Sequence, residues 1–374
     1  MGRPKKGSLS TFPHQLASSI KEIREAHTGW GAPSILLELE EEYGYAKTDL
    51  PSANTVNRYL KQMGLTKVYE VRGKFPYEQT KLVKTVHALW EVDAQGATPV
   101  GGIGYHAMIN MKDHRSLKYC MAFPVPVKHR RCQPATVHYQ WAFRLAFEES
   151  GLPQALQLDK DSVFHENTTK SPFPTRLHLW WIGLGLKAYF ITLPPPLKQA
   201  KVERSHQTMD RQAIQGQYYE CWKHFFQQTN KRRKQLNEKL PCSSLANKPP
   251  LQAYPDALHS GRHFSVEEEY QLFDLNRIYD LLAKGVWYRK ASEAKTISLG
   301  GYIYYVKKAR PNSQLKITFS KKTKLFIFRD DKEHLLAKLS PKGISKKEII
   351  GCSAKELKSM KFKLKTYRDF PLKT

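Results

Sequence analysis

Three patterns of hydrophobic and polar positions follow one another along the chain. In residues 15–66 the apolar side chains recur at helical spacing, as Leu16 and Ile20 do, which predicts two or three short helices. Residues 86–240 alternate short apolar runs with amphipathic stretches, a pattern typical of a mixed α/β domain. In residues 285–335 several short alternating segments lie between Gly, Pro and Asn residues, which predicts a small β-barrel.

Changes of composition between these parts set the predicted domain boundaries of a multidomain protein. The expected order is a basic tail (1–14), an all-α helix-turn-helix domain (15–66), a basic linker (67–85), an α/β core (86–240), a connector (241–284), a small basic β-barrel (285–335) and a lysine-rich tail (336–374). At 374 residues the chain is long enough for two or three separate hydrophobic cores.

The last of the N-terminal helices has clear end signals. Ser52 is suited to cap a helix that begins at Ala53, and Gly64 is suited to end it. A capped helix with a polar face is typical of a helix-turn-helix domain, which would present these side chains to the major groove: Asn54, Thr55, Asn57, Arg58 and Lys61. The alternative is a small helical bundle that only docks on another domain. Arg3 poses a similar choice, since the basic tail is either an arm in the minor groove or a solvated terminus.

The central part predicts five strands and three helices. The apolar runs indicate strands at 88–92, 105–111, 119–125, 156–158 and 188–192, and helices at 133–149, 175–184 and from 200 to about 240. Short polar connections favour antiparallel pairing of the first three strands. Three antiparallel strands, a helix, a strand, a helix, a strand and a helix is the order of the ribonuclease-H-like fold. In that fold the first and fourth strands lie side by side.

Three acidic residues occupy notable places in that order. Asp93 ends the first apolar run, Asp159 ends the fourth, and Glu203 lies in the first turn of a helix that must begin after three consecutive prolines. Taken singly, each acid has an alternative role as a turn former or helix cap. Together they offer the oxygen ligands that Mg²⁺ prefers. Two such ions can activate an attacking oxygen and stabilise a leaving one at phosphorus. We therefore predict a site for two Mg²⁺ ions, with Mn²⁺ as a substitute, in which Asp93 bridges both.

Charge and cysteine usage narrow the classes of partner and compartment. The formal net charge is +27, and residues 281–374 hold 24 Lys and Arg against 7 Asp and Glu, which favours a polyanion such as DNA. No apolar run approaches the roughly 18 residues of a membrane span, and no secretory leader opens the chain. Five scattered cysteines without a CxxC pair argue against a disulfide framework and a zinc site. We expect a cytoplasmic protein associated with the bacterial nucleoid.

Three segments resemble the catalytic motifs of DDE-type transposases and integrases. Trp90-Glu-Val-Asp93 is similar to their first-strand motif, and Leu158-Asp-Lys-Asp-Ser-Val-Phe164 to their Asp-Asn-Gly-Ser-x-Phe motif. Gln199-Ala-Lys-Val-Glu-Arg-Ser-His-Gln-Thr208 is similar to their Gly-x-Val-Glu-Arg-x-His-x-Thr helix. The segments 27–33 and 52–65 resemble the helix-turn-helix region of bacterial insertion-sequence transposases that have a retroviral-integrase-like core. The resemblance covers roughly residues 15–255.

The resemblance implies a DNA transposase that binds transposon ends, nicks their 3′ ends and joins them to target DNA. The catalytic and metal-binding residues would be Asp93, Asp159 and Glu203. Lys198 and Lys201 would touch the DNA backbone. Arg204 and His206 would contact the scissile phosphate or the active-site carboxylates, or would only decorate the helix surface. Such a reaction implies a homodimer or a higher homo-oligomer on DNA, and it leaves open an accessory ATPase partner.

The sequence departs from the family pattern in one motif. Lys160 and Asp161 replace its Asn-Gly pair, so the turn after Asp159 lacks a glycine and Asp161 becomes a rival ligand. We prefer Asp159 because of its position in the motif. The gap between Asp159 and Glu203, 43 residues, is longer than is typical of the family. Two other functions stay open: a ribonuclease-H-like nuclease without strand transfer, and a non-catalytic DNA-binding protein derived from a transposase.

Overall fold

The computed structural model describes residues 7–66, 83–167, 169–191 and 200–357. Several of the predictions fall wholly or partly on other residues. Arg3, Lys198, most of the predicted linker (67–82), the last residue of the predicted fifth strand (192) and the end of the predicted lysine-rich tail (358–374) lie outside the described residues.

Three short helices form the N-terminal unit: α1 (His14–Ala26), α2 (Ala32–Glu41) and α3 (Ala53–Gln62). Their apolar residues face one another in a small core that includes Leu16, Ile20 and Val56. The Ser52 side chain accepts the backbone N–H of Thr55 at 3.2 Å, so the predicted N-cap of α3 is confirmed.

The central part contains one five-stranded mixed sheet: β1 (Leu89–Val100), β2 (Gly104–Asp113), β3 (Tyr119–Val127), β4 (Ala155–Leu158) and β5 (Lys187–Phe190). The strand order is β3-β2-β1-β4-β5. Strand β2 is antiparallel to β1 and β3, whereas β4 is parallel to β1 and to β5. The first and fourth strands are therefore neighbours, as the ribonuclease-H-like order predicts.

Four helices belong to this part: α4 (Thr136–Ser150), α5 (Arg176–Gly183), α6 (Ala200–Ala213) and α7 (Trp222–Glu238). The prediction of one helix from 200 to about 240 is wrong, because the chain turns back between α6 and α7. Gly216 lies in that turn with φ +76°, and a Cβ there would come within 2.8 Å of the Thr28 hydroxyl. Tyr219 is buried, and its hydroxyl donates to the Ala213 carbonyl at 2.6 Å. These contacts join two helices that have no proline between them.

The N-terminal unit docks on the hairpin of α6 and α7. The indole Nε1 of Trp30 donates to the Gln212 carbonyl at 3.0 Å, and the Arg232 guanidinium lies over the Trp30 ring at 3.8 Å. Glu42, the residue directly after α2, forms an ion pair with Lys231 on α7 at 2.5 Å. The interface thus joins an acidic helix of the N-terminal unit to a basic helix of the core.

This docking bears on both interpretations of the N-terminal helices. The contacts come from α2 and from the loop before it, whereas the polar side chains of α3 point to solvent. Asn54, Asn57, Arg58 and Lys61 are all exposed. The unit therefore docks on the core and also leaves the predicted DNA-binding face of α3 accessible.

The C-terminal part contains six strands: β6 (Val286–Lys290), β7 (Thr296–Leu299), β8 (Tyr302–Tyr305), β9 (Gln314–Ser320), β10 (Leu325–Arg329) and β11 (Leu335–Leu339). They pair as a four-stranded sheet of order β11-β10-β9-β6 and a separate hairpin of β7 and β8. Within the described residues these pairings do not close into the predicted barrel. Trp287, Ile317 and Phe326 alternate inward and join the same hydrophobic cluster as the central sheet.

Short helices complete the chain: α8 (Pro250–Ala253), α9 (Glu269–Leu272), α10 (Leu275–Ala283) and α11 (Lys346–Ile350). Residues 336–357, which the sequence assigns to a lysine-rich tail, instead contain most of β11 and all of α11. Ile350 is fully buried, and its carbonyl accepts a hydrogen bond from Arg144 at 2.9 Å. The apolar residues between the lysines thus fix this segment to the core.

Helices α1 to α11 include none with both the length and the apolar character needed to cross a membrane.

Candidate active site

The register of the sheet brings the two predicted aspartates together. Strands β1 and β4 run parallel, with Glu91 beside Gln157 as the last pair of the ladder. Continuing that register by two residues puts Asp159, the first residue after β4, beside Asp93. Both side chains are partly exposed at this edge.

Asp93 is held by its own strand and by helix α6. Its Oδ1 accepts the N–H of Ala94 at 2.9 Å, and its Oδ2 lies 3.0 Å from Nε2 of His206 on α6. The other ring nitrogen of His206 lies 2.7 Å from the amide nitrogen of Asn110, the cross-strand partner of Asp93 on β2. With the amide nitrogen as donor to Nδ1, His206 carries its proton on Nε2 and donates it to Asp93.

Asp159 and Asp161 make different contacts. Oδ1 of Asp159 accepts the N–H of Asp161 at 3.1 Å. Oδ1 of Asp161 instead accepts the N–H of Val163 at 3.0 Å and the hydroxyl of Ser162 at 3.3 Å. The Asp161 carboxylate therefore stabilises its own turn, which otherwise lacks the glycine of the family motif. The continued register of β1 and β4 puts Asp159, rather than Asp161, beside Asp93, which favours Asp159 over its rival as a ligand.

Glu203 lies in the first turn of α6, as the proline rule predicts. Burial raises the pKa of Glu203, the Asp93 carboxylate raises it further, His206 lowers it and Glu91 raises it. Burial also raises the pKa of Asp159, its hydrogen bond from Asp161 lowers it, and the charge of Asp93 raises it again. Asp93 is thus the carboxylate whose charge acts on both of the others.

Tyr139 lies against the same group of acids. Burial raises the pKa of its hydroxyl well above the ordinary value, and the charges of Asp161, Asp93 and Asp159 add to the effect. Its ring, on α4, is buried and packs edge-on against Phe164.

The residues present suit a hard divalent cation in their chemistry. Three carboxylates supply oxygen donors only. Burial is the main cause of the raised pKa values of Asp159 and Glu203 and the charge of Asp93 adds to it, so a bound cation would favour the ionised form of both. Their arrangement is not yet a metal cage: within the described ranges, no three His, Cys, Asp or Glu side chains are grouped closely enough to hold an ion. In this state Oδ2 of Asp93 is engaged by His206.

We expect Mg²⁺ to stabilise the folded protein through these carboxylates. At ten times its dissociation constant the ion should raise the free energy of unfolding by about 1.4 kcal/mol, because it binds the folded state alone. Asp93→Asn should abolish the gain, whereas Asp256→Asn, on the exposed 3₁₀ turn at Pro255–Leu258, should keep it. Thermal melts with and without Mg²⁺ measure the effect, and equal gains in both variants would contradict the assignment.

The residues predicted to contact DNA differ in how exposed they are and in whether they already have partners within the protein. On α3, Thr55 is half-buried and its hydroxyl lies 2.9 Å from that of Ser52, while the other four side chains are exposed. Arg204 is exposed on α6. Lys201 and His206 have partners inside the protein: the Lys201 ammonium donates to the His114 carbonyl at 2.8 Å, and His206 contacts Asp93.

Sequence reasoning missed two residues that shape this site, Asn110 and Glu91. Glu91 is 1% exposed, and its Oε2 accepts the N–H of Val202 in the first turn of α6 at 3.1 Å. One signal was present for Glu91, since it is an acid in an apolar run and lies two residues before Asp93, on the same face of β1. No local signal distinguishes Asn110, whose role follows from the pairing of β1 with β2.

Comparison with known proteins adds little to this picture. No family model matches the chain. Among solved structures, the chain is similar to the HTLV-2 integrase catalytic core domain in complex with magnesium, in a trimeric and a dimeric form. The trimeric form shows 12% identity and a TM-score of 0.32 over 45% of this chain and 96% of that one. The dimeric form shows 13% identity and a TM-score of 0.31 over 45% and 94%. Scores this low add nothing to what the sheet order and the side-chain geometry show.

Proposed function

We propose that this protein is a DNA transposase that nicks the 3′ ends of an element and joins them to target DNA by metal-dependent phosphoryl transfer. One observation carries the proposal. Asp93 on the central strand has Asp159 beside it in register and Glu203 within electrostatic reach on α6, so the two others share it as a neighbour. This is the relation that a carboxylate bridging two metal ions requires.

In the proposed reaction the protein's side chains bind and orient. Asp93 and Asp159 would hold one Mg²⁺, and Asp93 and Glu203 would hold the other. When bound there, the ions would activate the attacking oxygen and stabilise the leaving oxygen. His206 keeps the Asp93 carboxylate in one orientation through its Nε2–H. The exposed Arg204 guanidinium, next to Glu203, is placed to meet a phosphate of the DNA.

Recognition of the DNA is assigned to the face of α3 that docking leaves free. Asn57, Arg58 and Lys61 share that exposed face, and the net charge of +27 supplies a general attraction to phosphate. Joining two ends requires two active sites, so we include a second copy of this chain in the proposed complex.

Replacing Arg58 or Lys61 by Ala should weaken binding to DNA that carries the element's ends. Arg58→Ala should cost about 1–3 kcal/mol of binding free energy if Arg58 contacts a base edge. Lys61→Ala should lower the slope of log affinity against log salt concentration by about one, because one phosphate contact is lost. Fluorescence anisotropy across a salt series measures both. Lys21→Ala, on the exposed face of α1, is the matched control. If Arg58→Ala and Lys61→Ala lose no more DNA affinity than this control, α3 does not contact the DNA.

The proposal is tested by incubating the protein with Mg²⁺, a labelled end fragment and a supercoiled target plasmid. Joined products that disappear in Glu203→Gln and persist in Asp161→Asn would support it. Cleavage without joining would favour the nuclease. Binding without any reaction, in the presence of either Mg²⁺ or Mn²⁺, would favour a non-catalytic DNA-binding protein.

A further inference from the structure

The first turn of α6 is attached to the central sheet through a buried side chain. The first four N–H groups of a helix have no partner within the helix. One of them, that of Val202, donates to Oε2 of Glu91 on β1 at 3.1 Å. The carboxylate also faces the positive end of the helix dipole, which adds to the attraction.

Glu91 is itself held from the other side. Its Oε1 lies 2.5 Å from Nδ1 of His114, in the turn between β2 and β3. Both side chains are buried, with exposed fractions of 1% for Glu91 and 7% for His114. A carboxylate this far from solvent keeps one position only if both its oxygens have partners.

The backbone of His114 gives α6 a second attachment. Its carbonyl accepts the ammonium of Lys201 at 2.8 Å. The turn that carries His114 is itself held by the Asp113 carboxylate. This carboxylate accepts the N–H and the hydroxyl of Ser116 at 2.7 and 2.6 Å, and the N–H of His87 at 2.7 Å. A continuous series of hydrogen bonds therefore links this turn to Lys201 and Val202, the two residues just before Glu203.

We propose that Glu91, supported by His114, is a positioning residue that sets Glu203 opposite Asp93. Lys201 and Val202 immediately precede Glu203, so their two attachments fix the height and rotation of the first helical turn. Glu91 and Asp93 point to the same face of β1. Strand β1 therefore carries Asp93 and, through Glu91, also fixes the helix that carries Glu203. The catalytic part of this inference rests on the proposed function, whereas the anchoring part does not.

The test compares Glu91→Ala with Glu91→Gln in the full-length protein. The amide of Gln keeps an oxygen that can accept the Val202 N–H, whereas Ala leaves that N–H without a partner. Hydrogen exchange of peptides covering residues 200–207 should accelerate by at least about tenfold in Glu91→Ala and remain close to wild type in Glu91→Gln. Glu149→Ala, which breaks the ion pair with Arg233 on α7, is the control for a general loss of stability.

Activity on the end fragment should follow the exchange. A displacement of Glu203 by about 1 Å should lower the joining rate roughly 10²-fold in Glu91→Ala while DNA affinity stays unchanged, and Glu91→Gln should restore most of it. Unchanged exchange at 200–207 in Glu91→Ala, or equal acceleration in Glu149→Ala, would overturn the anchor. Accelerated exchange with full joining activity would overturn the positioning role. If the wild type joins no DNA, the proposed function fails while the exchange result still decides the anchor.

Discussion

Replacing Asp93 by Asn should lower the rate of Mg²⁺-dependent joining by roughly 10³-fold, which corresponds to about 4 kcal/mol of lost transition-state stabilisation. This should be the largest effect of any single substitution on the reaction, because Asp93 is the neighbour common to Asp159 and Glu203. Its amide replacement keeps the size of the side chain and removes the charge. Single-turnover assays on a labelled end fragment measure the rate.

The same substitution should leave DNA binding intact. The polar face of α3 belongs to another part of the chain, so anisotropy should give the affinity of the wild type. Asp161→Asn is the matched control, because the Asp161 carboxylate accepts hydrogen bonds within its own turn. This substitution should lower the joining rate by no more than about tenfold. A joining rate within tenfold of wild type for Asp93→Asn would show that the chemistry lies elsewhere.

Replacing Glu269 by Ala should destabilise the fold by about 3–5 kcal/mol. Glu269 is fully buried, and its two oxygens accept Nε and Nη2 of Arg144 at 2.6 and 2.9 Å. The indole N–H of Trp180 donates to the same carboxylate at 2.8 Å. Removing the acid leaves a guanidinium that is 2% exposed without its counter-charge. Urea unfolding of the two proteins measures the difference.

Two further variants separate the charge effect from a packing effect. The double variant Arg144→Met with Glu269→Leu should recover much of the lost stability, because no unpaired charge remains. Asp280→Ala breaks the exposed pair with Lys321 and should cost less than about 1 kcal/mol. A loss in Glu269→Ala as small as in Asp280→Ala would contradict the structural role of the buried pair.

The strand order of the core could be predicted because each strand is a short apolar run between polar connections. Asp159 follows directly after β4, as its apolar run predicts. The predicted end of the first strand before Asp93 is wrong, because β1 continues past Asp93 to Val100 through residues that are less apolar. The site's helix was predicted only at its start. Pro194-Pro-Pro196 forces a helix to begin after them, whereas the break at Gly216 depends on the close approach of Thr28, nearly two hundred residues away in sequence.

The inward orientation of Lys201 could not be predicted, because in the sequence Lys201 is a polar residue of a helix whose motif is associated with DNA. For His206, a contact with the active-site carboxylates was one of the alternatives that the resemblance implied, but the sequence could not select it. Their partners, the His114 carbonyl and the Asp93 carboxylate, come from the turn and strand on which α6 packs. A helix in an isolated sequence does not show which polar residues face its own sheet.

The C-terminal part illustrates how composition hides structure. Lysines are spread through residues 336–357 and the apolar residues show little periodicity, so the segment resembles a solvated tail. Its order comes from a few apolar side chains such as Ile349 and Ile350, and from backbone carbonyls that accept hydrogen bonds from Gln140 and Arg144 on α4. These are long-range contacts that no local pattern encodes.

We propose that Asp93, Asp159 and Glu203 bind the catalytic cations together, with Asp93 shared. Crystals soaked in Mn²⁺ would test it directly through the anomalous signal of the metal. We expect a peak at a coordination distance of about 2.1 Å from an Asp93 oxygen, with Asp159 or Glu203 as a further ligand, and no peak in Asp93→Asn crystals. Peaks at saturating Mn²⁺ that avoid Asp93, or none anywhere near the three carboxylates, would contradict the claim.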